Sequence, residues 1–235
     1  MPTAVITGAS RGLGLALARE LAAREWELIV DARHGPALRD AVAGLATAAR
    51  ITPLDGDVAD PSHRQQVVEA VGKARGLDLL VNNASILGPS PLPRLDRYPL
   101  AELERVFRVN VIAPLALIQA LLGKISSSGG SIINLTSDAA TEPYEGWGGY
   151  GSSKAALEQV TRILAQEQPD LRVYTFDPGD MRTVMQQDAF PGEDISDRPE
   201  PETVVPALLK LVFGRPPSGH YRAHDLAAAA QEVGA

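Results

Sequence analysis

Along the chain, short aliphatic and β-branched runs alternate with longer segments whose apolar positions recur at helical spacing. Ala4-Val5-Ile6 reads as a first strand, and Leu13, Leu17 and Leu21 then stand at i, i+4 and i+8 on one helix face. Leu28-Ile29-Val30 predicts a second strand, followed by a helix from about Ala37 to Leu45, and Ile51 to Leu54 predicts a third strand. Asp60-Pro61 is a helix start, with a capping carboxylate and a proline at the first helical position. Leu77 to Val81 is a fourth strand, before a long helix from about Leu100 to Leu122 that runs through Pro114. Ser131 to Leu135 reads as strand, Tyr150 to Gln166 as helix and Leu171 to Phe176 as strand. Glu202 to Phe213 closes the series as a helix, with a short strand near His220-Tyr221.

The strands are almost continuously apolar, as expected where helices cover both faces of a sheet. Strand–helix alternation sustained to the end requires right-handed crossovers, and so an α/β fold with a doubly wound parallel sheet. No internal repeat and no linker long enough to divide the chain is visible, which predicts one domain over residues 1–235. Ser126 to Gly130 reads as a surface loop, and the alanine-rich stretch Ala227 to Ala230 as a frayed terminus.

Composition narrows the chemistry. The 235 residues hold 22 Lys and Arg against 29 Asp and Glu, a net charge of −7, which argues against nucleic acid or an anionic membrane as partner. Without cysteine there is no thiolate nucleophile or thiolate metal site, and the four histidines stand at no metal-ligand spacing, so no metal is expected. The apolar stretch Val109 to Ile125 is interrupted by Asn110, Pro114, Gln119 and Lys124, and the first residues lack a basic and then apolar leader. The expectation is a cytoplasmic protein with no membrane partner.

Thr7-Gly8-Ala9-Ser10-Arg11-Gly12-Leu13-Gly14 lies between the first strand and the first helix. In a Rossmann-like sheet, ligands bind beyond the carboxyl ends of the strands, where a helix N-terminus favours a pyrophosphate. Glycines let the backbone approach such an anion closely. Gly8 to Gly12 also matches G-x-S-x-G, the nucleophile elbow of hydrolases. That elbow follows several strands, however, whereas seven residues precede Gly8, and Gly14 is explained only by nucleotide binding.

Tyr150 and Lys154 share a helix face, four residues apart. A free phenol titrates near 10, and an ammonium beside it favours the phenolate, which suits acid–base work. Ser137 follows the fifth strand and so emerges at the same sheet edge. A surface pair at helical spacing is the plainer reading of Tyr150 and Lys154 taken alone.

Taken in order, these segments resemble the short-chain dehydrogenase/reductase superfamily, with matches from Thr7 to Thr183. The resemblance implies that Thr7, Gly8, Ser10, Arg11, Gly12, Leu13 and Gly14 form the cofactor turn, and that Asp57-Val58 meets adenine. It implies that Asn82-Asn83-Ala84 steadies the sheet beside the cofactor, and that Pro178-Gly179 and Thr183 hold the nicotinamide carboxamide. Asn110, Ser137, Tyr150 and Lys154 match the family's catalytic tetrad. On this resemblance Tyr150 exchanges a proton with the substrate oxygen that Ser137 positions. Lys154 lowers the tyrosine's pKa and bonds the ribose, and Asn110 holds a water that relays protons to Lys154. The partners implied are a small carbonyl or alcohol substrate and a second copy of the chain, as a homodimer or homotetramer packed through the Leu100–Leu122 and Tyr150–Gln166 helices.

Two positions depart from the pattern: Ser85 replaces the glycine after Asn-Asn-Ala, and Asp177 replaces the asparagine before Pro178-Gly179. The substrate segment, about residues 180–200, is short, which predicts an open pocket. Ile86, Leu87, Trp147, Met185 and Phe190 suggest an apolar wall, while Asp138, Asp180 and Asp188 would instead suit a polar substrate. For the cofactor, an acid at the end of the second strand selects NAD(H), and Asp31 stands near it. Counted from Leu28-Ile29-Val30, the discriminating position is Ala32, which leaves Arg33 and Arg11 to meet a 2′-phosphate. NADP(H) is therefore the expected cofactor and NAD(H) the alternative. A nucleotide-binding sensor or scaffold without turnover, and a dehydratase or epimerase on the same fold, are the competing functions.

Overall fold

The computed structural model describes residues 1–45 and 48–232. Its strands are β1 (Thr3–Ile6), β2 (Glu27–Ala32), β3 (Ile51–Asp55), β4 (Leu79–Asn82), β5 (Ser131–Leu135), β6 (Arg172–Asp177) and β7 (Gly219–Arg222). They form one parallel sheet in the order β3-β2-β1-β4-β5-β6-β7. The chain starts in the middle, builds outward through β2 and β3, then returns to the other side of β1. The order therefore reverses between β1 and β4, and the crevice there is the expected ligand site.

Alternate residues of each strand feed two apolar layers. Ile6, Leu28, Val30, Leu79, Val81, Ile133 and Phe176 pack beneath α1 (Gly12–Ala23) and α8 (Val205–Gly214). Val5, Ile29, Leu80, Ile132 and Val173 pack beneath α3 (Pro61–Lys73) and α5 (Ala113–Ser127). Burial on both faces is the physical reason that the strand sequences lack polar alternation.

The expected long helix is real but interrupted. α4 (Leu100–Phe107) runs into a five-residue π turn at Arg108–Ile112 before α5 continues. Pro114 has no N–H, so the carbonyl of Asn110 lacks the donor that an unbroken α-helix supplies. Leu100–Ser127 is long and apolar enough to cross a membrane by length and composition, yet half of its most apolar window is buried against the rest of the protein.

Several boundaries differ from the periodic reading. α2 spans Gly35–Ala43, with Pro36 in its first turn. A short helix, α7 (Val184–Ala189), forms inside the substrate segment. Ala227 to Ala230 lie within a helix, α9 (Ala223–Glu232), rather than in a frayed end. The last three residues of the 1–235 span lie outside the described residues.

α6 (Gly148–Glu167) is tied to the sheet by a buried polar chain. Asn82 Nδ2 donates to Asn134 Oδ1 at 2.8 Å, and Asn134 Nδ2 donates to Thr161 Oγ1 at 2.8 Å. Beside it, Thr136 Oγ1 donates to Glu158 Oε1 at 2.7 Å, and Arg162 pairs with Glu158 Oε2 at 2.9 Å. Buried polar groups need partners to offset their lost hydration. These bonds therefore fix the rotation of α6 and, with it, the face that carries Tyr150 and Lys154.

Candidate active site

The turn after β1 is built by glycine geometry and braced from β4. Gly8 and Gly12 adopt positive φ values of 69° and 58°, which favour glycine. A Cβ on Gly8 would also sit 2.9 Å from the Ala84 backbone. Thr7 Oγ1 accepts from the N–H groups of Asn83 and Ala84, each at 3.0 Å. Asn83 Nδ2 returns a donor to Thr7 O at 2.8 Å and to Gly8 O at 3.1 Å. Gly14 lies beneath, where a Cβ would come within 2.6 Å of both Asn83 Nδ2 and Gly8 O. Thr7 and Gly14 thus support the turn and do not line the cleft.

A cleft of about 630 Å3 opens over this turn. Gly8, Ser10, Arg11, Gly12 and Leu13 form its floor, with Asn83 and Ala84 beside them. Asp57 and Val58 line one end; Tyr150 and Lys154, then Pro178 and Thr183, line the other. α1 begins at Gly12 with no side-chain cap and no acid in its first turn. Its leading N–H groups therefore open on the cleft as a ready anion site, which fits a dinucleotide pyrophosphate.

Asp31 lines the cleft, but its carboxylate is engaged within the fold. Its Oδ1 accepts from Gly8 N–H at 2.8 Å, and its Oδ2 lies 3.2 Å from His63 Nε2, both side chains being buried. Burial raises the Asp31 pKa, while the His63 and Gly8 hydrogen bonds work against that rise. β2 ends at Ala32, as the count along the strand requires, and exposed Arg33 follows it at the cleft wall. This acid–histidine pair meets the turn at Gly8 N–H, not at the Ser10 hydroxyl, and so is not the relay of a hydrolase elbow. Periodicity gave no sign of the pair, because it joins residues 32 apart.

Around Tyr150, the tetrad candidates are gathered but not all turned to the phenol. Asn110 Oδ1 accepts from Ile86 N–H at 2.9 Å and from Ser85 Oγ at 3.1 Å, and its Nδ2 donates to Ile86 O at 2.9 Å and to Ser153 Oγ at 3.0 Å. It is a buried strut in the π turn and not part of the cleft lining. Ser137 donates to Asp138 Oδ1 at 2.9 Å and accepts from Ala139 N–H at 3.2 Å. Lys154 Nζ donates to Leu135 O at 2.8 Å and stands 5.3 Å from the centre of the Tyr150 ring. Burial lowers Lys154 to about 8.

The expected depression of the tyrosine is not what this geometry produces. Burial raises the Tyr150 pKa, the Asp177 and Asp138 carboxylates raise it further, and a hydrogen bond with Ser85 lowers it. Ser85 was legible only as a departure from a motif; its hydroxyl donates to Asn110 Oδ1 and, like Tyr150, it lines the cleft.

Leu87, Ala139 and Tyr150 pack with Leu92, Trp147, Met185 and Phe190 in one apolar cluster. Trp147 stacks edge-on to Tyr150 at 5.8 Å and is tilted against Phe190 at 6.0 Å. Ile86 belongs instead with Val58, Val109 and Ala113. Gly179 N–H donates to Asp177 Oδ1 at 2.9 Å, and Thr183 Oγ1 caps α7 by accepting from Gln186 N–H at 3.2 Å. Of the acids named as alternatives, Asp138 holds Ser137 and the Tyr144 hydroxyl, and Asp180 pairs with Arg198 at 3.5 Å.

A sequence model of the short chain dehydrogenase family matches residues 2–194. Sepiapterin reductase of Bos taurus is 34% identical over 197 residues, which cover 78% of this chain and 74% of that enzyme. A benzil reductase ((S)-benzoin forming) of Saccharomyces cerevisiae is 34% identical over 219 residues, covering 88% of this chain and 79% of its own. Among solved structures, a short chain dehydrogenase of Shigella flexneri complexed with NADP superposes with a TM-score of 0.89 at 27% identity, covering 95% of this chain and 97% of that one.

The lowered Lys154 pKa makes a stability prediction. The folded chain releases this proton near pH 8 and the unfolded chain near 10.5, so between those values the unfolded state binds more protons. Wild-type stability should therefore rise relative to Lys154→Met from pH 8 to 10.5. Urea unfolding of both proteins across that window tests it; a constant difference would show that the ammonium is not desolvated.

Proposed function

Because the chain belongs to the short-chain dehydrogenase/reductase family, we propose that it is an NADP(H)-dependent oxidoreductase that interconverts a carbonyl and an alcohol. The observation that carries this reading is the span of one cleft. An uncapped helix N-terminus flanked by Arg11 and Arg33 lies in the same cleft as Tyr150 and Lys154. When bound there, the nicotinamide supplies a hydride to the carbonyl carbon or accepts one from the alcohol carbon.

The chain's own groups manage the rest. Arg11 and Arg33 are exposed at the cleft, and among the described residues neither is drawn into an ion pair, so both guanidiniums are available to a 2′-phosphate. Asp31, spent on Gly8 and His63, does not oppose that phosphate at the surface. Tyr150 holds the proton that the substrate oxygen receives. Ser137 orients that oxygen once substrate draws its hydroxyl from Asp138. Lys154 reaches the ribose from its place on the Leu135 carbonyl, and Pro178, Gly179 and Thr183 hold the carboxamide. Asn110 fixes the π turn, and its backbone carbonyl, which receives no N–H from Pro114, is the acceptor assigned to the relaying water.

The substrate class follows from the wall around Tyr150. Trp147, Met185, Phe190 and Leu87 offer apolar and aromatic surface to a ring beside the carbonyl, in keeping with the sepiapterin and benzil reductases the chain resembles. Assembly belongs to the same reading: Leu100, Ile112 and Ile163 leave apolar side chains exposed on the two helices through which a homodimer or homotetramer packs.

In an NADPH-oxidation screen over ketones, aldehydes and quinones, aryl ketones should be turned over best. Turnover of charged, polar carbonyls alone would remove the apolar-wall reading. Tyr150→Phe should lose about 10²–10⁴-fold in kcat with NADPH affinity retained; wild-type-like turnover would dismiss the phenol as the proton donor. Arg33→Ala should cut the NADPH over NADH preference in kcat/KM by about tenfold, whereas an unchanged ratio clears Arg33 of that role. Sedimentation velocity at micromolar concentration should give a dimer or tetramer, and a monomer would remove the assembly.

A further inference from the structure

A buried histidine reaches the glycine turn through an acid. α3 opens with Asp60 accepting from Ser62 N–H at 2.8 Å, and Arg64 ties the first turn back by donating to Val58 O at 2.6 Å. His63, between them, is 3% exposed, and its Nε2 lies 3.2 Å from Asp31 Oδ2. Asp31 Oδ1 accepts from Gly8 N–H at 2.8 Å, and the Asp31 backbone carbonyl accepts from Ala9 N–H, also at 2.8 Å. Asp31 is therefore both a cleft-lining acid and a brace of the turn that floors the cleft.

Packing alone does not account for this histidine. Its Nδ1 has no hydrogen-bond partner among the described residues, so the ring's polar contact is the one to Asp31. An aliphatic side chain would fill the space without the cost of desolvating an imidazole. The space itself is kept by Gly56, where a Cβ would lie 2.2 Å from His63 Nδ1 and 2.5 Å from its Cγ. A glycine and a histidine thus converge on one bond to an acid.

We propose that His63 determines cofactor specificity through Asp31, by holding its carboxylate in the turn and out of competition for the ribose end of the cofactor. The inference rests on the NADP(H) reading above. An ionised carboxylate only accepts, so Nε2 carries the proton of the bond. With that donor present, Oδ2 is engaged by the imidazole and Oδ1 by the turn. Without it Oδ2 is buried and unpaired, a costly state that turning to the adjoining cleft relieves. A carboxylate turned there would accept from ribose hydroxyls, which favours NAD(H). It would also set its charge against a 2′-phosphate in the cleft that Arg11 and Arg33 line. Asp57, another acid of the cleft lining, has its own donor in Ala59 N–H at 2.8 Å.

The test separates this role from general support of α3. Kd for NADPH and for NADH is measured by fluorescence titration of the full-length protein, with no substrate present. His63→Leu should lower the ratio Kd(NADH)/Kd(NADPH) by about tenfold. Gly56→Ala, which displaces the ring without altering it, should lower the ratio too. His63→Gln, which keeps a side-chain N–H, should restore most of the preference. Asp31→Asn keeps an oxygen for Gly8 N–H and an amide for the imidazole but carries no charge. In that background His63→Leu should move the ratio by no more than about twofold. Hydrogen exchange at the Gly8 amide should quicken in His63→Leu and Gly56→Ala and stay slow in His63→Gln.

An unchanged ratio in both His63→Leu and Gly56→Ala overturns the proposal. So does an equal fall with and without Asp31→Asn, which is what a loosened α3 would give. If His63→Leu does not fold, Gly56→Ala carries the same comparison across the two backgrounds. A wild type that binds NADPH no better than NADH removes the NADP(H) reading instead. The difference between backgrounds and the Gly8 exchange rates then still decide the role of His63.

Discussion

The Thr7 hydroxyl joins the two halves of the sheet where their order reverses. By accepting from two successive N–H groups after β4, it holds the end of β1 against the Asn83-Ala84 segment and leaves Asn83 Nδ2 to grip the glycine turn. Everything that the cleft requires follows from this join. The turn can be tight because it is braced from below. α1 can begin uncapped because its first residues face open space rather than protein. The strand ends on either side of the join then carry the two ends of the ligand site.

A second polar system does for Tyr150 what Thr7 does for the turn. Asn82, Asn134 and Thr161 form a line from β4 through β5 to α6, and Glu158 repeats the connection one turn earlier on the helix. The apolar layers supply most of the driving force for folding but are indifferent to a small rotation of a helix. Directional bonds between strand and helix are not. The phenol and the ammonium four residues apart are aimed by side chains that never enter the cleft.

Much of the architecture was legible because a buried parallel sheet writes itself as short apolar runs separated by helical periods, and the glycine turn, Tyr150 and Lys154 fell where those elements end. What escaped depended on contacts between distant residues or on side-chain direction. Asp31 stands close to the cofactor-discriminating position by sequence, yet its carboxylate is buried against His63 of α3. Ile86 and Leu87 are neighbours in the chain but feed different clusters. Pro114 was visible, but its effect was to allow a π turn at Asn110 rather than to end a helix, and no periodicity distinguishes those outcomes. Ser85 was recognisable as unusual; that its hydroxyl meets Asn110, 25 residues further on, is a fact of three dimensions.

The uncapped start of α1 also links the chain's survival to its surroundings. Helix N-terminal N–H groups left without a protein partner are solvated in the empty fold, and a bound anion answers them with charge as well as acceptors. A ligand that binds the folded chain and not the unfolded one adds about 2.7 kcal/mol at a hundred times its Kd, by mass action alone. Such an increment lowers the unfolded fraction roughly a hundredfold. For any protein cleared by proteases that take unfolded chains, such an increment lengthens survival in step with the free concentration of its ligand, and a cleft built on an uncapped helix start places this chain under that rule.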